Sequence, residues 1–218
     1  MVSTEERIKA LATYLEVEED EITEGYDDTV FEVNGEEYLV LDDDEADEAV
    51  VDDIENIIDD MGLEAFTDSM QDWIVGNAID NTEWFDEALE EDTNYYVDDM
   101  SDDEVVENAI DYDLIDEDDA YVEDEDGNQE INPDLDIEDL GEKLVEELVS
   151  REPDAYEWYV DNFGENSVRD LIKEGVLTLD YQAIADEVIR WDGRGNSLAS
   201  YDGDEIELDN GLYAYRLN

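Results

Sequence analysis

Apolar residues recur at helical spacing along most of this chain, and the intervening positions are overwhelmingly carboxylate. Ser3 and Glu6 stand three apart, ahead of Ile8, Leu11, Ala12 and Leu15, which predicts a capped first helix. Thr29–Val33 and Glu37–Leu41 flank Asn34-Gly35, a strong short hairpin signal. A helix capped by Asp43 or Asp44 is expected to run to Met61, with Gly62 as its stop. Its apolar positions, Ala46, Ala49, Val50, Ile54, Ile57, Ile58 and Met61, share one stripe at period 3.6. Further helices are predicted near 64–79 (Phe66, Met70, Trp73, Ile74), near 82–98 (Trp84, Phe85, Leu89, Tyr96, Val97) and from the capping box Ser101/Glu104 through Ile110. Asp116–Asn128 reads as a loop, and Asn132-Pro133-Asp134 as a turn. Four more helices are expected near 136–151, 154–162, 166–174 and 180–191. Glu205–Leu208 and Leu212–Arg216 flank Asp209-Asn210-Gly211, a second hairpin. The expected fold is therefore α+β, mainly α, with two short β-hairpins near 29–41 and 204–216.

Charge changes how this pattern is read. The 218 residues carry 74 Asp and Glu against 9 Lys and Arg, a formal charge of -65. From Ala10 to Glu142 there is no base at all, among 54 acids. Such a charge with low hydropathy would by itself suggest disorder. The 41% hydrophobic and 10% aromatic content, placed on helical stripes, argues instead for a folded scaffold under strong self-repulsion. Residues 151–218 hold 16 acids and six of the nine bases. That shift suggests a strongly acidic, mainly helical part over 1–131 and a more balanced part over 132–218, the latter serving as scaffold or homodimer contact.

The residue inventory narrows the chemistry. No Cys means no disulfide or thiolate, and no His removes the commonest general base and metal ligand. Close carboxylate pairs are unavoidable at this density and carry no information, so an enzyme is not expected. Aligning Gly127 of the acidic 116–127 segment with an EF-hand glycine puts Val122 at the first ligand position and Pro133 at the last, and neither side chain can bind a metal. No cofactor or metal site is expected. Asp192-Gly193-Arg194-Gly195 reads as a helix stop followed by turns, with Arg194 paired to a local carboxylate. Trp73, Trp84, Trp158 and Trp191 fall on helical stripes and read as core. There is no secretory leader pattern and no membrane-length apolar run, which points to the cytoplasm, and the charge should repel both membranes and nucleic acid.

Two segments carry a resemblance. Glu37-Tyr38-Leu39-Val40-Leu41, running into Asp44-Glu45-Ala46-Asp47-Glu48-Ala49, resembles a segment of a group of acidic bacteriophage proteins without assigned activity. Asp192-Gly193-Arg194-Gly195-Asn196-Ser197-Leu198-Ala199-Ser200-Tyr201-Asp202-Gly203, with Tyr213-Ala214-Tyr215-Arg216, resembles the C-terminal region of the same group, Asn196 standing where the group has His. The resemblance implies a phage origin and brings no mechanism. By charge and size the chain is also similar to phage- and plasmid-borne DNA mimics of the antirestriction kind.

Duplex DNA carries one charge per about 1.7 Å of axis, so 65 charges match on the order of 110 Å of duplex. The expected function is inhibition by DNA mimicry: occupation of the nucleic-acid-binding cleft of a basic host DNA-binding protein, such as a restriction or other defence complex. The expected contact residues are Asp42, Asp43, Asp44, Glu45, Asp47, Glu48, Asp52, Asp53, Asp59 and Asp60, then Glu90, Glu91, Asp98, Asp99, Asp102, Asp103, Glu117, Asp118 and Asp119. The competing readings are a halophilic interaction protein and an acidic chaperone that shields a basic protein.

Overall fold

The computed structural model describes residues 2–123 and 128–218. It is an α+β protein, mainly α, with eleven α-helices and two antiparallel sheets among the described residues. The chain divides into two compact units. One comprises the residues up to Ile79 together with Leu179–Asn218, and the other is the continuous segment Asp80–Thr178. The compositional boundary at 131/132 falls inside the second unit. Composition records where the bases are, whereas strand pairing between the two ends of the chain decides which segments fold together.

The first unit is built on a five-stranded sheet in the order β1-β2-β3-β7-β6. Its strands are β1 (Thr23–Glu24), β2 (Val30–Val33), β3 (Glu36–Asp42), β6 (Glu205–Glu207) and β7 (Leu212–Arg216). Asn34 (φ 54°) and Gly35 (φ 85°) form the β2–β3 turn, both with the positive φ that a two-residue hairpin of this hand requires. The two hairpins expected from sequence join into one sheet, because β3 pairs antiparallel with β7 from Tyr38↔Arg216 to Asp42↔Leu212. Alternation then separates two faces. Phe31, Val33, Tyr38, Val40, Leu212 and Ala214 pack with Ala10, Leu11 and Ala12 of helix α1 (Thr4–Leu15), which is capped by the Ser3/Glu6 box. Val30, Leu41 and Tyr215 on the alternate positions are also buried.

Helix α2 (Asp43–Met61) follows β3 directly and packs against α10 (Tyr181–Asp192) and α11 (Arg194–Leu198). Its cap is Asp42, one residue before the expected position: the Asp42 carboxylate accepts from the Glu45 amide at 3.0 Å, and Glu45 accepts from the Asp42 amide at 2.9 Å. The helix expected near 64–79 starts only at Asp68. Leu63–Ala65 forms a 3-10 turn, and the Thr67 side chain caps α3 (Asp68–Asn77).

The second unit holds α4 (Glu83–Asp98), α5 (Asp102–Asp111), α6 (Glu117–Ala120), α7 (Ile137–Ser150), α8 (Ala155–Phe163) and α9 (Glu165–Lys173). Helix α7 packs against both α4 and α5. Val97 meets Leu144 and Val145, while Val105, Val106 and Ala109 gather with Ala120 and Leu140. Phe85 is the buried hub of edge-on aromatic contacts with Trp84, Tyr156 and Tyr159. The segment read as a loop, Asp116–Asn128, instead begins with α6 and then β4 (Tyr121–Glu123), which pairs with β5 (Gln129–Ile131). Burial of Ala120 and half-burial of Tyr121 and Ile131 against α5 and α7 stabilise what local polarity alone does not. The Asp124–Gly127 part of that expectation, with its EF-hand comparison, lies outside the described residues.

Candidate protein-binding surface

Helix α2 shows how the sequence builds a charged face on a packed element. Ala46, Val50 and Ile54 are buried, while Asp43, Asp44, Glu48, Asp52, Glu55, Asp59 and Asp60 are exposed. Carboxylates at its N-terminus complement the helix dipole, as at any capped helix. Those at its C-terminus do not. Asp59 and Asp60 sit in the last turn of α2, Asp98 ends α4 and Asp111 ends α5, and none of these three helices has a base in its last turn. A carboxylate there faces the negative end of the dipole, an unfavourable contact of about 0.3–1 kcal/mol at low ionic strength. The acid content is therefore carried to positions where helix stability alone would select Lys or Arg.

The few bases are turned to internal use. Arg7 is buried on α1; its Nη1 donates to the Val40 carbonyl, and its Nη2 reaches both Glu45 carboxylate oxygens, at 2.6 and 2.7 Å. Arg194 reaches Asp43 at 2.7 Å and both Asp47 and Glu205 at 3.4 Å, and lies 4.9 Å from the Tyr213 ring centre. Burial pulls its guanidinium down, but the Asp43 hydrogen bond and the Glu205 and Asp47 charges outweigh this and leave it raised. Arg216 pairs with Glu36 and covers the Tyr201 ring, Arg190 pairs with Glu187, Lys143 with Asp139, and Arg151 with Glu147. At least six of the nine bases are thus neutralised within their own unit, and most acids keep no cation.

The expected contact residues are spread over both units. Asp42, Asp43, Asp44, Glu45, Asp47, Glu48, Asp52, Asp53, Asp59 and Asp60 belong to the first unit. Glu90, Glu91, Asp98, Asp99, Asp102, Asp103, Glu117, Asp118 and Asp119 belong to the second, where all are exposed. Four on the first are only partly accessible: Asp42, Glu45, Asp47 and Asp53. Asp42 and Glu45 serve the α2 cap, Glu45 holds Arg7, and Asp43 and Asp47 hold Arg194. Burial pushes both Asp47 and Asp53 above the usual carboxylate range. No group of three or more acids among the described residues is placed to hold a metal ion. No described helix is long and apolar enough to cross a membrane.

The Asp192–Gly203 segment has a structural role that its sequence suggests only in part. Gly193 ends α10, and α11 follows. A Cβ on Gly195 would stand 2.3 Å from the Gly203 carbonyl oxygen and 2.8 Å from the Glu205 amide nitrogen, so this close approach requires glycine.

Sequence reasoning missed an open cleft of about 770 Å³ in the first unit. Met61, Phe66, Met70, Trp73 and Trp191 form much of its wall, with Asp53, Glu187 and Asp192 as its ionisable lining. Trp191 was expected in the core, yet it is 72% exposed, and Met61 is 59% exposed. Trp191 lies seven residues after buried Ile184, and Met61 seven after buried Ile54, so each continues a true core stripe. Helical periodicity does not record where the facing element ends. Tyr96, also expected on an apolar stripe, is exposed together with Tyr95. Comparison with family models, curated proteins and solved structures finds no match for this chain.

Proposed function

We propose that this chain is a phage-encoded polyanion mimic that acts in the host cytoplasm, occupying the duplex-binding cleft of a basic host protein such as a restriction or other defence complex. The observation that carries this reading is the disposition of charge. Carboxylates cover the outer faces of packed helices, including C-terminal turns where the dipole opposes them, while the bases are drawn into internal pairs. No reaction is required. Long-range attraction would speed encounter, and release of counterions from both partners would supply affinity.

The test is retention of proteins from bacterial lysate on the immobilised chain, followed by elution with duplex DNA. DNA-binding proteins should be retained and displaced, and a purified target should lose DNA cleavage or binding as the chain is added. Retention of none, or failure of duplex DNA to displace them, would sink the proposal. Folding at low salt separates it from halophilic adaptation. The mimic should stay folded at about 50 mM salt, where a protein adapted to high salt would unfold from self-repulsion.

A further inference from the structure

We propose that the cleft between α2, α3 and α10 seats the apolar face of a basic amphipathic helix of the partner protein. The inference rests on the reading that the partner is basic, and names where that partner is gripped by something other than charge.

The walls fit such an occupant. Met61 and Met70 are flexible and polarizable, suited to grooves that take varied apolar side chains, and Trp73, Trp191 and Phe66 supply broad apolar surface. Trp191 is exposed but held. Its indole Nε1 donates to Glu187, which is only 7% exposed, and the Arg190 guanidinium lies 5.7 Å from its ring centre. An anchor ordered before binding gives up little entropy when it is covered. A cleft of about 770 Å³ accepts a few side chains rather than a folded surface.

Charge selects the occupant. No Lys or Arg lines the cleft, and its ionisable walls are Asp53, Glu187 and Asp192. Asp52, Asp59 and Asp60 are exposed on α2, and Asp68 on α3. Glu187 is already held by Arg190 and the Trp191 indole, but an acidic or neutral segment would bring no cation to Asp53 or Asp192. A helix with Leu-like residues on one side and Lys or Arg on its flanks would fill the cleft and bring cations to its carboxylate walls. A Lys or Arg of the occupant would offset the burial that raises the Asp53 carboxyl.

The experiment uses the full chain and two synthetic probes: a roughly four-turn Leu/Lys amphipathic peptide, and an oligolysine with the same number of Lys. Binding is followed by tryptophan fluorescence and calorimetry in about 0.5 M NaCl, where exposed charge pairs are strongly screened. The amphipathic peptide should bind at least about ten-fold more tightly, given the apolar area that a few buried side chains remove from water. Trp191→Ala and Met61→Gln should each cut that affinity about five-fold or more, and Tyr96→Ala, on the other unit, should leave it unchanged. Both cleft residues are exposed, and circular dichroism checks that the variants stay folded. Equal affinity for the two peptides, or indifference to both cleft variants, overturns the cleft while leaving polyanion mimicry standing. Equal binding of a Leu/Glu peptide overturns the charge selection. Failure of both basic peptides to bind at about 50 mM salt overturns the cleft and the reading beneath it.

Discussion

Replacing Arg7 by Ala should be among the most damaging single changes in this protein. The Arg7 side chain is 4% exposed, its Glu45 partner 29% exposed, and Nη2 of Arg7 contacts both carboxylate oxygens at 2.6 and 2.7 Å. Removing one member of a buried pair costs about 3–5 kcal/mol, because the other charge is left uncompensated. Partial exposure of Glu45 lets water recover some of that, which favours the lower end. Loss of the charged donor to the Val40 carbonyl adds about 1 kcal/mol, for an expected total of about 4 kcal/mol. Glu45 also closes the α2 cap, so the damage should reach the helix that carries the most acids. The assay is equilibrium unfolding in urea, an uncharged denaturant that does not screen the protein, at about 0.1 M and about 1 M NaCl. The wild type and the variant should both gain from salt, but the gap between them should persist, since a buried pair is poorly screened. Lys143→Ala is the contrast. It removes an exposed i,i+4 pair and should shift the urea midpoint far less than Arg7→Ala does, with no shift left in high salt. A cost below about 1 kcal/mol for Arg7→Ala, or its disappearance at high salt, would refute the reasoning that this base is a buried keystone rather than one more surface charge.

Gly195→Ala places a methyl against the Gly203 carbonyl and the Glu205 amide, both backbone, and should lower stability by about 2–3 kcal/mol in the same urea assay; a cost near zero would mean the loop yields freely. Asp53→Asn should raise the urea midpoint at neutral pH. The folded protein holds the Asp53 proton more tightly than the unfolded chain does, so stability from this site is full below the ordinary carboxylate range and is lost as pH rises through it. The advantage of the amide should therefore fade on acidification, and an advantage independent of pH would contradict the desolvation argument. Binding to a captured DNA-binding protein should weaken by about 10³–10⁵ between about 50 and 200 mM salt if six to ten phosphate sites are imitated. Changing exposed Asp52, Asp59 and Asp60 together to Asn should reduce the salt slope by about three, and an unchanged slope would remove α2 from the contact surface.

Local chemistry made much of the fold legible. The Ser3/Glu6 and Ser101/Glu104 boxes form as expected because a cap depends on residues three apart and little else. The Asn34-Gly35 turn forms because few residue pairs accept two consecutive positive φ values. That Arg194 is paired was readable among so many acids, but its partner at 2.7 Å is the distant Asp43 and not the local carboxylate expected, because the tertiary fold brings α2 beside α11. The strand pair β4–β5 was not, because its polar residues gain their conformation from packing on α5 and α7. The cleft was invisible for the opposite reason. Met61 and Trp191 keep the core period, and only the absence of a facing element makes them surface.

By itself, the sequence determined most of the longer helices, the Ser3/Glu6 and Ser101/Glu104 caps, the two hairpin turns and a carboxylate excess that no local pairing could neutralise, because each depends on residues within a few positions of one another. The tertiary structure decided what those elements share. Antiparallel pairing of β3 with β7 closes the first unit across more than 170 residues, places the second unit as an uninterrupted segment between its halves, and divides the acid faces between the two. Which carboxylates stay free and which hold Arg7 or Arg194 follows from that closure, since hydrogen bonds and ion pairs act between neighbours in space, and composition counts only neighbours in sequence.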